Sequence, residues 1–176
     1  MNAVRLLISA GVYADAQEHL LARAEAVGFF LADWDGEHGD LRLRDWRPVQ
    51  TDGLEYQSDV HVSLTAATQT EIIRWACDNH ATLVEAHSHE QKGRACFSPS
   101  DLSGLAEWVP HVWWRLRGRP YGAVVIAGSR FDGLAWISAP QTPEQVREID
   151  VEGRSIKATG ETLSRFNLLG SKEFLP

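Results

Sequence analysis

Branched apolar residues crowd residues 4–9 (VRLLIS) and predict a first strand. Residues 14–26 are rich in Ala, Leu, Glu and Gln and hold no Gly or Pro. They predict a helix with Leu20, Leu21 and Ala24 on its apolar side. Residues 27–34 (VGFFLADW) read as a buried strand, 35–40 as a turn, and 41–49 as the returning strand of a hairpin. The polar stretch 50–58 reads as a loop, and the alternating stretch 60–64 as a strand. Thr68 with Glu71 three residues on has the form of a capping box, so a helix is expected over about 69–79. Residues 82–88 are strand-like and 90–97 form a loop. Ser98-Pro99-Ser100-Asp101 then opens a helix running to about Trp108. Residues 121–127 and 131–138 predict a hairpin around Gly128-Ser129-Arg130. Thr142-Pro143-Glu144-Gln145 reads as the start of a short helix, and from about 158 to 176 the pattern weakens.

Strands and helices intermix without a repeat or a dividing linker. A chain of 176 residues with that order predicts a single α+β domain, layered α/β/α. The expected division is a domain over 1–157 and a C-terminal tail over 158–176. No apolar run approaches the length of a transmembrane helix, and Met1-Asn2-Ala3-Val4-Arg5 does not have the form of a signal peptide. Seventeen basic against 24 acidic residues give a net charge of -7. That balance argues against nonspecific nucleic-acid binding, and Arg115, Arg117 and Arg119 alone read as solvated or ion-paired. The two cysteines, Cys77 and Cys96, stand in dissimilar contexts and suggest no disulfide framework. A reducing, cytoplasmic location is therefore expected.

The chemistry concentrates in His87-Ser88-His89, Ser98 and Asp101. Residues two apart on a strand share a face, so His87 and His89 can offer two imidazoles to one ion. An eight-residue loop leads from His89 to Ser98, and Asp101 follows in the first turn of the next helix. Two imidazoles and a carboxylate leave a fourth position for water, as in catalytic zinc sites. Ser98 and Asp101 taken alone are also an ordinary helix start.

This combination resembles the motif of the JAB/MPN (JAMM) zinc metallopeptidases: His87-x-His89, a loop, then Ser98-x-x-Asp101. That family also carries an upstream glutamate followed by a glycine and an apolar strand. The matching run is Glu25-Ala26-Val27-Gly28-Phe29-Phe30-Leu31, and the likeness extends over roughly residues 1–139. The loop between His89 and Ser98 is longer than the commonest form, and Ala32 stands where many members have a glycine.

The resemblance implies a JAB/MPN-like, cytidine-deaminase-like fold: a mixed sheet flanked by helices. It implies Zn2+ held by His87, His89 and Asp101, with Glu25 as general base and Ser98 as donor to the oxyanion. The implied activity is hydrolysis of a peptide or isopeptide bond after the C-terminal tail of a ubiquitin-like protein, in processing or deconjugation. Implied partners are that protein or its conjugates and activating (E1-like) and conjugating (E2-like) enzymes, as in bacterial antiphage pathways. The alternatives are a noncatalytic MPN-like scaffold and a zinc amidase with a small-molecule substrate. Intact Glu25, His87, His89, Ser98 and Asp101 speak against the scaffold.

Other His-x-His families fit less well. Gly93 comes too early for a cupin, and Gln91 and Lys92 stand where a metallo-β-lactamase needs Asp and His. An amidohydrolase barrel needs about 250 residues. Glu85 and Glu90 flank the histidine pair as candidate supporting acids, and Cys96 reads as a packed residue in the motif loop. His19, His38, His61, His80 and His111 lie outside the motif, and Trp108, Trp113 and Trp114 read first as core. The loop 50–58 is a candidate clamp over a substrate tail, and the run 164–170 a candidate docking tail.

Overall fold

A computed structural model describes residues 4–22, 25–58 and 61–169. The first strand, β1 (Val4–Ile8), alternates buried and half-buried positions and passes directly into α1 (Ala10–Leu21), capped by the Ser9 hydroxyl. A hairpin follows, β2 (Val27–Asp35) and β3 (Asp40–Pro48). After a 3-10 turn at Thr51–Gly53, β4 (Leu54–Ser58) and β5 (His61–Leu64) pair as a separate two-stranded ribbon. Then come α2 (Ala66–Asp78), β6 (Thr82–Ser88) and α3 (Pro99–Arg115). The chain continues through β7 (Tyr121–Ala127), β8 (Arg130–Trp136), β9 (Glu144–Val151), β10 (Arg154–Lys157) and α4 (Glu161–Leu169).

The strand order is β1-β3-β2-β6-β7-β8-β9, and β9 pairs back onto β1. The sheet therefore closes into a seven-stranded mixed barrel, with β10 added to β9. This corrects the expected α/β/α layered, JAB/MPN-like sheet. Closure rests on the parallel register Arg5↔Glu148 to Ile8↔Val151, a pairing between the two ends of the chain that local patterning does not encode. The stretch after Pro143 reads locally as a helix start but forms β9, because the free edge of β1 accepts it.

One buried cluster draws on all seven barrel strands and is the barrel's interior. Leu6, Phe30, Leu41, Val84, Val124, Phe131 and Val146 meet there, joined by Ala16 and Leu20 of α1. The second cluster lies outside. Phe29 and Leu31 of β2, Leu83 of β6 and Val125 of β7 are covered by Ile72 and Ala76 of α2 and by Leu105, Val109 and Val112 of α3. Full burial of each such valine, leucine, isoleucine or phenylalanine contributes about 1.5–3 kcal/mol. Successive residues of β6 thus alternate between the interior and the helix-covered face, and His87 falls on the latter.

Several boundaries differ from the pattern-based expectation. α3 runs on through Pro110 to Arg115, because Val109 and Val112 are buried against the sheet and packing outweighs the lost hydrogen bond. α2 starts earlier than expected, with Thr65 rather than Thr68 as its cap: the Thr65 hydroxyl accepts from the Thr68 amide. The stretch expected as a loop over 50–58 contains β4. α1 ends at Leu21, so Glu25 sits in the turn beyond it, and Ala24 and Val60 lie outside the described residues. Gly28 is required where it stands, since a Cβ there would lie 2.3 Å from the Trp46 ring. Within the stretch expected as a tail, α4 forms and Thr162 is buried, while 170–176 lie outside the described residues.

Candidate metal centre

β6 ends at the site. His87 is on the strand, and His89 follows just past its end, where its amide donates to the Ile126 carbonyl of β7. α3 brings the third group. Ser98 is its N-cap and Asp101 its third residue, joined by a reciprocal capping box. The Ser98 amide donates to Asp101 Oδ2 at 2.7 Å, and the Asp101 amide donates to Ser98 Oγ at 3.1 Å. The same carboxylate oxygen, Oδ2, lies 3.5 Å from His87 Nε2 and 3.3 Å from His89 Nε2. Helix capping and the metal cluster thus share one oxygen atom.

Among the described residues, His87, His89 and Asp101 form the group of side chains close enough to hold one ion, with one atom from each within 4.8 Å of the others. Donors at about 2.0–2.1 Å from a tetrahedral zinc stand roughly 3.4 Å apart along each edge, which matches the two His–Asp separations. His87 Nε2 is buried and makes no proper hydrogen bond, an arrangement that is costly unless a cation takes it. Two imidazoles and a carboxylate are a borderline donor set suited to zinc. The residues present therefore fit a divalent ion of this kind.

Supporting groups hold both rings. His89 Nδ1 faces the Arg94 carbonyl at 3.4 Å, which directs Nε2 toward Asp101. His87 Nδ1 lies 3.8 Å from Glu85 Oε1, and Phe97 packs edge-on against the His87 ring. Glu85 is itself oriented by Tyr121, whose hydroxyl donates to it at 2.8 Å and accepts from Trp108 Nε1 at 2.8 Å. The sequence reading raised Glu85 but missed Tyr121 and the Arg94 carbonyl. Tyr121 reads as an ordinary strand aromatic, and only the pairing of β6 with β7 brings it beside Glu85.

Glu25 arrives from the turn before β2. Its φ of 55° is left-handed, a costly conformation for a side chain with a Cβ. The turn is fixed to the end of β6: the Glu25 amide donates to the Ser88 carbonyl at 2.7 Å, and the Ala26 amide to the Ser88 hydroxyl at 3.1 Å. The Glu25 carboxylate is thereby buried 3.9 Å from His89 Nε2.

The charges are interlocked. Burial alone would raise the Asp101 carboxyl, but the His87 and His89 imidazoles facing it hold it far below the usual carboxylate range. Burial pushes His87 down, yet the Asp101 carboxylate, aided by Glu85 and Glu25, brings it net upward. Burial raises Glu85, with His87 opposing. The Asp101 carboxylate thus favours the charged form of His87, the form that a bound metal ion would exclude.

All five expected residues, Glu25, His87, His89, Ser98 and Asp101, meet in this region. Cys96 is buried but stands outside the group, accepting from Arg165 at 3.4 Å. His19 faces the Val27 carbonyl and His38 pairs with Asp35, both elsewhere. Trp108 serves the site through Tyr121, whereas Trp114 is exposed with Arg115 stacked on it. An open groove of about 600 Å³, lined by Arg5, Ser9, Asp40 and Arg42 among others, shares no residue with the metal cluster, and its Arg5 and Asp40 are paired with each other. No helix among the described residues is long and apolar enough to cross a membrane.

Comparison with known proteins gives no matching family model and no matching curated protein. Among solved structures, the solution structure of protein DSY2949 from Desulfitobacterium hafniense is similar, with a TM-score of 0.53 and 14% identity, over 85% of this chain and 94% of that chain. At that identity the likeness is one of fold.

Proposed function

We propose that this chain is a zinc-dependent peptidase or isopeptidase that cleaves after the C-terminal tail of a ubiquitin-like protein. The barrel differs from the layered sheet that the JAB/MPN resemblance implied, so the proposal rests on the side chains and not on the fold. One observation carries it: a glutamate from a distant stretch is buried in a strained turn beside the His-His-Asp cluster. Strained backbone at such a place is a common sign of function.

His87, His89 and Asp101 would hold the ion. Bound there, zinc would supply a Lewis acid and bring the pKa of a water molecule down toward about 7. Glu25 accepts a proton from the attacking water and delivers it to the leaving amine, a role typically contributing about 10²–10⁴-fold. Ser98 already accepts from the Asp101 amide, and a serine oxygen that accepts can still donate its proton. It donates to the oxyanion, where one such donor is worth about 2.7–4 kcal/mol. A flexible tail suits a site beside strand ends, since it binds in extended form. The proposed partners are the ubiquitin-like protein, its conjugates and the enzymes that attach it, in the cytoplasm.

The test uses fusions of ubiquitin-like tails to a reporter, with metal content measured in parallel. Wild type should release the reporter, and Glu25→Gln should keep its metal and lose turnover. Full turnover in Glu25→Gln would overturn the base assignment. Hydrolysis of small amides alone would overturn the substrate class.

A further inference from the structure

The loop over 90–97 joins two metal-binding residues to the third, yet it has no regular secondary structure. Something else must fix the distance between His89 and Asp101. Two threonines from the stretch before and within α4 reach it. The Thr159 hydroxyl donates to the Ala95 carbonyl at 2.7 Å, and the Thr162 hydroxyl accepts from the Phe97 amide at 3.1 Å. These two contacts flank Cys96 and end one residue before Ser98.

The threonines are in turn tied to the barrel through Asp132, which is fully buried. Asp132 Oδ2 accepts from the Thr162 amide at 2.8 Å, and Oδ1 accepts from the Gly160 and Gly133 amides and from Gln145 Nε2. A buried carboxylate with several N–H donors and, among the described residues, no cation beside it is costly to place unless every donor is held in position. In the sheet register His87 lies opposite Val125 of β7, and Val125 opposite Asp132 of β8. His87 and Asp132 therefore occupy one row on one face of the sheet. The sheet holds the first ligand directly and the loop through Asp132 and Thr162.

We propose that Thr162, anchored by Asp132 and assisted by Thr159, is a positioning residue that sets the geometry of the metal centre. This rests on the metal reading above and adds to it a residue set outside the recognised motif. The Phe97 amide is held while the Phe97 ring packs on the His87 imidazole, so a shift of this one residue moves both sides of the cluster. Thr162→Val keeps the shape and removes the acceptor, whereas Thr162→Ser keeps the acceptor.

The experiment titrates purified full-length protein with Zn2+ against a chelator, and with Co2+ by its visible absorption. The metal-free thermal midpoint measures general destabilisation separately. Supporting groups of this kind typically change metal affinity about 10–100-fold. Thr162→Val is expected to lose that much and to alter the Co2+ spectrum, with Thr162→Ser restoring both. Should Thr162→Val fail to fold, Thr159→Val is read in the same way. Tight wild-type binding with unchanged affinity and spectrum in the valine variant would overturn the positioning role alone. A wild type that binds neither ion would overturn the metal reading beneath it.

Discussion

Asp101→Asn separates the two duties of the Asp101 carboxylate. The asparagine oxygen can still accept from the Ser98 amide, so the helix start survives. The amide presents no negative charge to His87 and His89, which lie 3.5 and 3.3 Å from Oδ2. At an effective dielectric near 20, opposite charges at that distance attract by about 5 kcal/mol, and desolvation takes much of this back. Hydrogen bonds to charged groups retain a net value of about 1.5–3 kcal/mol, the expected cost of the substitution in metal-free protein. The cost depends on pH. His87 is raised above 6.5 in the fold, so its contribution is complete below that value and is lost as pH rises through the folded pKa. Asp101 is lowered below 3.8, so its contribution is present above that value and is lost only in strong acid. Urea unfolding of chelator-treated protein should therefore show the full cost at about pH 5.5 and a clearly smaller one at about pH 8.5. Asp101→Ala should cost about 1 kcal/mol more at both, through the lost acceptor for Ser98. Equal costs of Asp101→Asn at the two pH values, or a larger one in alkali, would refute the charge assignment.

Three further outcomes follow from the same contacts. Ser98→Ala should lower kcat by about 10²–10³ with KM little changed, and lower stability by about 1 kcal/mol through the lost cap; steady-state kinetics and unfolding read the two effects apart. Tyr121→Phe leaves Glu85 without its donor and Trp108 without its acceptor. It should cost about 1–3 kcal/mol in denaturant unfolding and weaken zinc binding about tenfold in chelator competition. Zinc affinity should fall steadily as pH drops below about 7, with a proton released on binding near neutrality, because the raised His87 must give up its proton to the ion; isothermal titration in buffers of different ionisation enthalpy measures that release.

Much of the site was legible because its signals are local. His87 is near the end of a strand with His89 two residues on, just past its end, and Ser98 and Asp101 form a helix start, so each pair declares its own geometry. The strands Thr82–Ser88 and Tyr121–Ala127 were legible for a similar reason: their apolar runs are bounded by turn-forming residues. Barrel closure was not legible, since the pairing of β1 with β9 joins chain ends and the helix-like Thr142-Pro143-Glu144 start conceals β9. The length of α3 was hidden by Pro110, whose local penalty is outweighed by burial of Val109 and Val112. Asp132 and Thr162 carry no sequence signal of their own. An acid in an apolar strand and a threonine in a weak helix acquire meaning only when the barrel brings them to the loop before Ser98.

Zinc content of protein purified without added metal is the most direct measure of the central claim, that His87, His89 and Asp101 converge on one divalent cation. Elemental analysis of wild type, His87→Ala and His89→Ala by mass spectrometry should give about one zinc per wild-type chain and almost none in either folded variant. Wild type without metal, even after dialysis against zinc, or variants that keep it, would contradict the account.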